Sequence, residues 1–159
     1  MITFFTTHHK LSLPFLNSLE SWERLPCVSE VFVFSDTITN DELANHSTKA
    51  RVLPSNETPN EPPMVKSLFK DALENTDNGF LCYLNSDILL LSDFCDAFHE
   101  CKSKWDNFQM IGQRTNWMDN DWVRFDKDAS DEEIRKRVQE GNSKLHPRSG
   151  IDYFCFNRE

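Results

Sequence analysis

The sequence predicts an α/β fold with a mostly parallel central sheet and helices on both faces. Up to Arg114, short apolar runs with the length of buried strands alternate with amphipathic runs of helical period. The connections between these runs are short, and neither an internal repeat nor a low-complexity linker interrupts them. In addition, the strand predicted at Phe80–Leu84 ends in a polar turn that carries a carboxylate. Open α/β sheets place their ligands at such strand ends.

The predicted elements of the first half follow from apolar spacing and from proline positions. Pro14 fits the first turn of a helix, and Pro26 ends its apolar periodicity. The apolar run Val31–Phe34 indicates a strand that is buried on both faces. In order, these elements are a strand at Ile2–Thr6, a helix opening at Ser12, a strand at Val28–Phe34, a short polar helix at Asp41–His46 and a strand at Arg51–Leu53.

The second half repeats the alternation and then becomes polar. Ser92 is a candidate N-cap, and Ser130 with Glu133 matches a capping box. The predicted elements are a loop at Pro54–Pro63, a helix with an apolar stripe from Val65 to Leu73, the strand Phe80–Leu84, a helix from Ser92 to Trp105, a strand at Phe108–Ile111, a surface loop at Asn116–Asp128, a charged helix from Ser130 to Glu140, a polar loop at Gly141–Gly150 and a strand at Ile151–Phe156.

Length and composition limit the possible classes of protein. The 159 residues are enough for one domain with a sizeable core, and 38% hydrophobic with 27% charged residues indicates a globular chain. The formal net charge of −9 argues against a nucleic-acid partner and against an anionic membrane surface. No apolar run has the length of a membrane span, and the first residues lack the pattern of a signal peptide.

The number and positions of the cysteines indicate the redox state of the compartment in which the protein works. The chain has five cysteines and no CxxC pair. Cys27, Cys82 and Cys155 lie in or beside apolar strand-like runs, where reduced core thiols are common. Together with the absence of a signal peptide, this predicts a cytoplasmic protein in a reducing environment.

Several common α/β chemistries lack their motifs. The sequence contains no GxGxxG turn, no GxxxxGK[ST] loop and no GxSxG nucleophile elbow. Cys95, His99 and Cys101 lie close in sequence, but nothing supplies the further ligands that zinc requires. We interpret these three as ordinary helix residues.

The turn Asn85-Ser86-Asp87 offers oxygen ligands only, which suits magnesium or manganese. One carboxylate holds such an ion poorly, so the phosphates of a bound diphosphate would have to complete its shell. The ion would then act as a Lewis acid on the leaving diphosphate. Four residues are candidate cations for the same phosphates: Arg114, Lys144, His146 and Arg148. The alternative is an ordinary polar turn beside a solvated loop.

Four runs carry a resemblance to a known family: NEPPMVKSLFKDAL, FLCYLNSDILLLSDF, MIGQR and KLHPRSGIDYFCFNR. Their order and spacing resemble a group of GT-A nucleotide-diphospho-sugar transferases connected with surface polysaccharides. The resemblance covers about residues 50–159 and, more loosely, the N-terminal strands. It implies a Rossmann-like GT-A fold, a nucleotide-diphosphate sugar donor, a glycan hydroxyl as acceptor and a divalent cation.

The resemblance also implies roles for particular residues. Asp87 matches the last Asp of the DxD motif and is expected on the metal. Asn85 stands where many members have the first Asp, and it can offer a carbonyl oxygen to the metal or hydrogen-bond the ribose. Asp152 begins the last strand and is expected either as a general base or as a ligand of sugar hydroxyls. The remaining residues expected at the donor are Thr6, Thr7, Asp36, Ser86, Arg114, His146 and Arg148.

The sequence departs from the family at its end. Similar proteins continue past the GIDYF strand into a segment that helps to form the acceptor site, whereas this sequence ends at Glu159. We therefore expect a single GT-A-like domain over residues 1–159 without that segment. Two alternatives stay open, namely a non-catalytic nucleotide-sugar or glycan-binding domain and a nucleotidyltransferase. The second class normally carries a glycine-rich basic loop after the first strand, and Thr6–Lys10 contains no glycine.

Overall fold

A computed structural model describes residues 1–55, 65–117 and 129–158. These residues form a six-stranded sheet, a separate two-stranded sheet and five α-helices. In chain order the elements are β1 (Ile2–Thr7), α1 (Leu13–Arg24), β2 (Val28–Phe34), α2 (Asn40–Ala44), β3 (Ala50–Leu53), α3 (Val65–Glu74), β4 (Phe80–Leu84), α4 (Asp93–Lys104), β5 (Gln109–Gln113), β6 (Thr115–Trp117), α5 (Asp131–Glu140), β7 (Ser143–Leu145) and β8 (Ile151–Asn157).

The large sheet has the strand order β3-β2-β1-β4-β8-β5. β1 pairs in parallel with both β2 and β4, and β2 pairs in parallel with β3. β8 lies between β4 and β5 and is antiparallel to both. Five strands therefore point the same way, and β8 alone runs against them. This confirms the predicted mostly parallel sheet.

Each face of the sheet is covered by helices, as predicted. Because successive side chains of a strand point to opposite faces, Phe4 and Phe5 enter different clusters. Phe4 contacts Trp22 of α1 and Phe94 of α4, with ring centroids 6.0 Å and 5.4 Å away. Phe5 contacts Phe69 of α3 at 5.0 Å on the other face. These edge-to-face aromatic contacts fix the helices against the sheet.

Most predicted boundaries agree with the structure within a few residues, and β4 agrees at both ends. The capping box of α5 is confirmed, because the Ser130 hydroxyl accepts from the Glu133 amide and the Glu133 carboxylate accepts from the Ser130 amide. Two loop predictions were wrong in part. Thr115–Trp117 and Ser143–Leu145 pair as antiparallel strands, although Asn116-Trp117 and the second segment were assigned to loops. The remaining residues of the predicted loops Pro54–Pro63 and Asn116–Asp128, namely 56–63 and 118–128, lie outside the described residues.

The prediction of a reduced Cys27 was wrong. Cys27, just before β2, forms a disulfide with Cys95 in the first turn of α4, across 68 positions of sequence. Cys82 and Cys155 are buried free thiols, as predicted, and Cys101 is free and half-buried. The spacing of the cysteines did not indicate this pair, because Cys27 and Cys95 come together only when α4 packs on the sheet. The disulfide removes one support for the predicted reducing compartment.

Loss of this disulfide is expected to lower the stability of the fold. In the loop-entropy account, a cross-link over 68 positions stabilises by about 4 kcal/mol. We therefore expect the double substitution of Cys27 and Cys95 by serine to lower Tm, and a reducing agent to lower Tm in the wild type only. Thiol titration of the unfolded, unreduced chain should find three free thiols. Five free thiols in protein purified without reductant would contradict the pairing.

No described helix combines the length and the apolar character that a bilayer span requires.

Candidate functional site

The candidate site lies where the chain changes direction across the sheet. From β1 the chain proceeds to β2 and β3 on one side, and it then returns to place β4 on the other side of β1. Such a point leaves a crevice outside the carboxyl ends of the two central strands, because the connections on either side lead away from it. β1 ends at Thr7 and β4 ends at Leu84, so His8 and Asn85-Ser86-Asp87 follow these strands directly.

The turn after β4 presents one free carboxylate. Asp87 is exposed, and its carboxylate has no hydrogen-bond partner among the described residues. Asn85 is held firmly, because its Nδ2 donates to Oδ1 of Asp152 at 2.8 Å and its main-chain amide donates to the Asp152 carbonyl at 3.0 Å. The turn therefore combines a fixed residue with an exposed anionic one.

Asp152 is the buried centre of the site. Only 4% of the residue is exposed, and its Oδ1 also accepts from Nη1 of Arg114 at 2.6 Å. Nε of Arg114 donates to Oδ1 of Asn116 at 2.7 Å, which fixes the guanidinium. Oδ2 of Asp152 is buried without a partner among the described residues. Because a buried acceptor without a partner is costly, this oxygen is a candidate contact for a ligand hydroxyl.

The register of β8 explains how Asp152 reaches this position. Ile111 pairs with Phe154, but Gln113 pairs with Ile151, so β8 carries one extra residue opposite Gly112. Such irregularities turn a strand and redirect side chains, and they are common beside active sites. A Cβ on Gly112 would stand 2.1 Å from the Tyr153 ring, so only glycine allows this close packing of β5 on β8.

His8 joins the two strand ends. Its Nδ1 lies 3.0 Å from the Ser86 hydroxyl and its Nε2 lies 3.1 Å from the Ser12 hydroxyl. Its ring packs on Phe15 with centroids 4.3 Å apart. Burial, and next the neighbouring His9, lower the pKa of His8, which favours the neutral imidazole. The sequence showed His8 at a strand end, but its contact with Ser86 required the pairing of β1 with β4.

Helix α1 anchors the segment after the turn. Nε1 of Trp22 donates to the Ile88 carbonyl at 2.8 Å, and the Leu90 amide donates to the Ser21 hydroxyl at 3.2 Å. Trp22 is fully buried. The residue that follows Asp87 in the chain is therefore attached to the hydrophobic core.

The other predicted residues are spread along the same edge of the sheet. Thr6 is buried, and its hydroxyl has no partner among the described residues. Thr7 is half-buried. Asp36 is exposed after β2 and accepts from the Ser55 hydroxyl. These three stay predictions as donor contacts.

The predicted basic loop meets the site through its main chain. The His146 amide donates to the Arg114 carbonyl at 2.9 Å, and the His146 carbonyl accepts from the Gln113 side chain. The imidazole of His146 packs so closely on Gly150 that a Cβ there would lie 2.1 Å from Nδ1. Lys144 and Arg148 are exposed, and no described contact connects their side chains to Asp152 or to Asp87. The structure thus brings Arg114, Asn85 and Asp152 together and leaves Arg148 apart.

The donor atoms fit a hard cation that is shared with a ligand. No group of three or more His, Cys, Asp or Glu side chains among the described residues could hold a metal by itself. The Asp87 carboxylate and Oδ1 of Asn85 are oxygen donors without a partner in the described part of the chain, which suits magnesium or manganese with phosphate and water ligands. A metal cage made by side chains alone does not fit the part of the chain that the structure describes.

Two cavities that described residues form lie away from these groups. One separates α1 from α5 and is lined by Arg24, Leu90 and Ile134 among others. The second opens at the amino end of β4, between Phe80, Trp105 and Arg158. The turn with Asp87 lines neither of them.

Comparisons with models of protein families and with curated proteins gave no match to this sequence. Solved structures do match the fold. A 4-diphosphocytidyl-2C-methyl-D-erythritol synthase from Anaerococcus prevotii superposes with a TM-score of 0.53 at 11% identity, over 99% of this chain and 71% of that one. HddC from Yersinia pseudotuberculosis gives 0.53 at 13% identity, over 99% and 77%. A CMP:2-keto-3-deoxy-manno-octonic acid synthetase complexed with CTP gives 0.52 at 10% identity, over 99% and 74%.

The chain has a Rossmann-like nucleotidyltransferase/GT-A fold. At these identities the likeness concerns the fold alone, and the chain spans about three quarters of the length of the three proteins. The predicted fold class is therefore confirmed, and the activity has to be argued from the site.

Proposed function

We propose that this protein is a glycosyltransferase that moves a sugar from a nucleotide-diphosphate donor to a hydroxyl group of a glycan. The observation that carries the proposal is the carboxylate of Asp87 at the switch point of the sheet, beside Asn85. This carboxylate is exposed and has no hydrogen-bond partner among the described residues. Ligands of open α/β sheets bind at this position. The resemblance of the turn to the DxD motif adds to this argument.

The proposed transfer forms a bond between the acceptor hydroxyl oxygen and the anomeric carbon of the donor sugar. The bond from that carbon to the diphosphate oxygen breaks, and the hydroxyl proton passes to a base. A cation held by Asp87 and Asn85 would neutralise the leaving diphosphate. Nη2 of Arg114 has no hydrogen bond among the described residues, and in the proposal it binds phosphate oxygens.

Asp152 has one oxygen for this chemistry. Asn85 and Arg114 occupy its Oδ1, and its Oδ2 has no described partner. In the proposal, Oδ2 accepts a hydroxyl, either as the general base for the acceptor or as a ligand of the donor sugar. Asp36 and Thr7 follow the neighbouring strands and are proposed to contact the nucleoside, together with the nearby Thr6.

A second candidate function is nucleotidyl transfer. Two of the solved structures with the same fold are named a synthase and a synthetase, and the latter is in complex with CTP. Against this candidate, the connection from β1 to α1 comprises His8–Ser12 and contains no glycine. A glycine-free connection offers fewer main-chain amides in the conformations that wrap a triphosphate. A non-catalytic nucleotide-sugar-binding or glycan-binding domain is the third possibility.

A ligand screen separates the three functions. Tm would be measured with manganese and, in turn, sugar nucleotides, nucleoside diphosphates and nucleoside triphosphates including CTP. Binding at 100 times Kd adds about 2.7 kcal/mol to stability, which gives a rise of several °C. The proposal predicts a rise with one diphosphate and with its sugar nucleotide, together with slow hydrolysis of the latter. A rise with a triphosphate alone would favour nucleotidyl transfer, and binding without hydrolysis or transfer would favour the non-catalytic domain.

A further inference from the structure

Asp152 on β8 explains why the turn after β4 carries asparagine, and not aspartate, at position 85. Nδ2 of Asn85 donates to Oδ1 of Asp152 at 2.8 Å, which determines how the amide is oriented. Its carbonyl oxygen, Oδ1, therefore points away from Asp152, and it has no hydrogen bond to any described residue. A hydrogen bond on one side of the amide thus leaves an acceptor on the other side.

A carboxylate at position 85 would conflict with Asp152. Two carboxylate oxygens at 2.8 Å repel each other strongly, and Asp152 is 4% exposed, so water screens the repulsion poorly. The described contacts of Asp152 include one cation, Arg114, whose single positive charge balances one carboxylate but not two. Arg114 is bound to Asp152 through Nη1, and it is also fixed by Asn116 through Nε. Position 85 therefore has to carry a neutral donor as long as position 152 carries a carboxylate.

We propose that Asp152 is a positioning residue that requires asparagine at position 85 and turns the Asn85 carbonyl oxygen toward the bound ligand. Position 85 thus lacks the carboxylate that the first position of a DxD turn would supply. The neighbouring antiparallel strand carries a carboxylate instead, that of Asp152, which pairs with Arg114. The part of this proposal that concerns a cation and a diphosphate rests on the proposed function.

A double-mutant cycle over Asn85→Asp and Asp152→Asn tests the pairing. The double variant exchanges the two side chains, so that position 85 carries the carboxylate and position 152 carries the amide. In unliganded protein, Asn85→Asp alone should lower Tm by roughly 5 °C, because it brings two carboxylates together. The double variant should recover most of this loss. Asn107→Asp, which adds the same charge at an exposed position before β5, should change Tm by at most about 1 °C.

Several outcomes decide the pairing without any ligand. Additive losses, in which the double variant falls by the sum of the two single effects, would overturn it. An Asn85→Asp variant as stable as the wild type would do so as well. If Asn85→Asp does not fold while the double variant does, the pairing is supported in its strongest form. Failure of both to fold overturns it.

A second measurement tests the orientation of the Asn85 carbonyl. With manganese and the nucleoside diphosphate that stabilises the wild type most, the rise in Tm should be small for Asn85→Asp and near that of the wild type in the double variant. Asn85→Leu, which has no donor or acceptor, should lose at least half of the rise. An undiminished rise in Asn85→Leu would overturn the proposed orientation. A wild type that responds to no nucleotide overturns the proposed function instead, while the unliganded cycle still decides the pairing.

Discussion

Replacing Asp87 with alanine is expected to abolish the rise in Tm that manganese and a nucleoside diphosphate produce in the wild type. Asp87 carries the carboxylate of the Asn85-Ser86-Asp87 turn, and this group is exposed and has no hydrogen-bond partner among the described residues. Without it, the neutral carbonyl of Asn85 remains as the main oxygen donor of the turn, and neutral oxygens bind magnesium or manganese weakly. Unliganded Tm should change by less than about 2 °C, because the removed carboxylate makes no described hydrogen bond.

Asp106→Ala provides a matched control for this experiment. Asp106 is also exposed, but it lies near the amino end of β4, at the opposite edge of the sheet. Its main-chain carbonyl accepts from the Asn157 side chain, and its carboxylate has no hydrogen bond to a described residue. The nucleotide response of Asp106→Ala should equal that of the wild type. A full response in Asp87→Ala would remove the basis of the proposed function. A loss in both variants would indicate an effect of net charge alone.

Substitution of Trp22 by alanine is expected to have the largest effect on stability. Trp22 is fully buried and packs edge-to-face on Phe4 and Phe15, and its indole N–H donates to the Ile88 carbonyl. Removing a buried tryptophan side chain leaves a cavity and costs about 3–5 kcal/mol, here with an unsatisfied carbonyl in addition. Urea denaturation should show this as a large decrease of the midpoint.

Two further substitutions separate the parts of this effect. Trp105→Ala removes a tryptophan that is 54% exposed and should change stability by less than about 1 kcal/mol. Trp22→Phe keeps most of the buried ring but loses the donor, so it should cost about 1–3 kcal/mol. Because Ile88 directly follows Asp87, Trp22→Phe should also weaken the manganese–nucleotide response. An unchanged response would show that the turn keeps its geometry without this hydrogen bond.

Patterns that act over a few residues predicted most of the fold. β4 and the capping box of α5 depend on apolar runs and on side chains three positions apart, which are visible in the sequence. β6 and β7 are only three residues long and carry mostly polar side chains, so no apolar alternation marks them. The Cys27–Cys95 disulfide depends on the docking of α4 against the start of β2, and residue spacing does not report docking.

The candidate site was predicted as a set of residues but not as a network. The sequence indicated Asp87 and Asn85 through their place after a buried strand, and Asp152 through the resemblance. Asn85 and Asp152 are 67 positions apart, and Arg114 lies 38 positions from Asp152. Their contacts follow from the insertion of β8 beside β4 with its direction reversed, which no local pattern encodes. The sequence places His8 just after the first strand, where it could face a ligand or the solvent, and its contact with Ser86 follows only from the pairing of β1 with β4.

The position of β8 has a consequence for the order of folding. β8 follows both β4 and β5 in the sequence, yet it lies between them in the sheet and joins β5 to β4. During synthesis, β4 and β5 therefore expose unpaired edges until residues 151–157 arrive, and such edges are prone to associate with other chains. Asp152 arrives with the same strand. The contacts of Asp152 with Asn85 and Arg114 therefore form only once this strand has joined the sheet, and a chain cut before residue 151 would lose these contacts together with the cover of both strand edges.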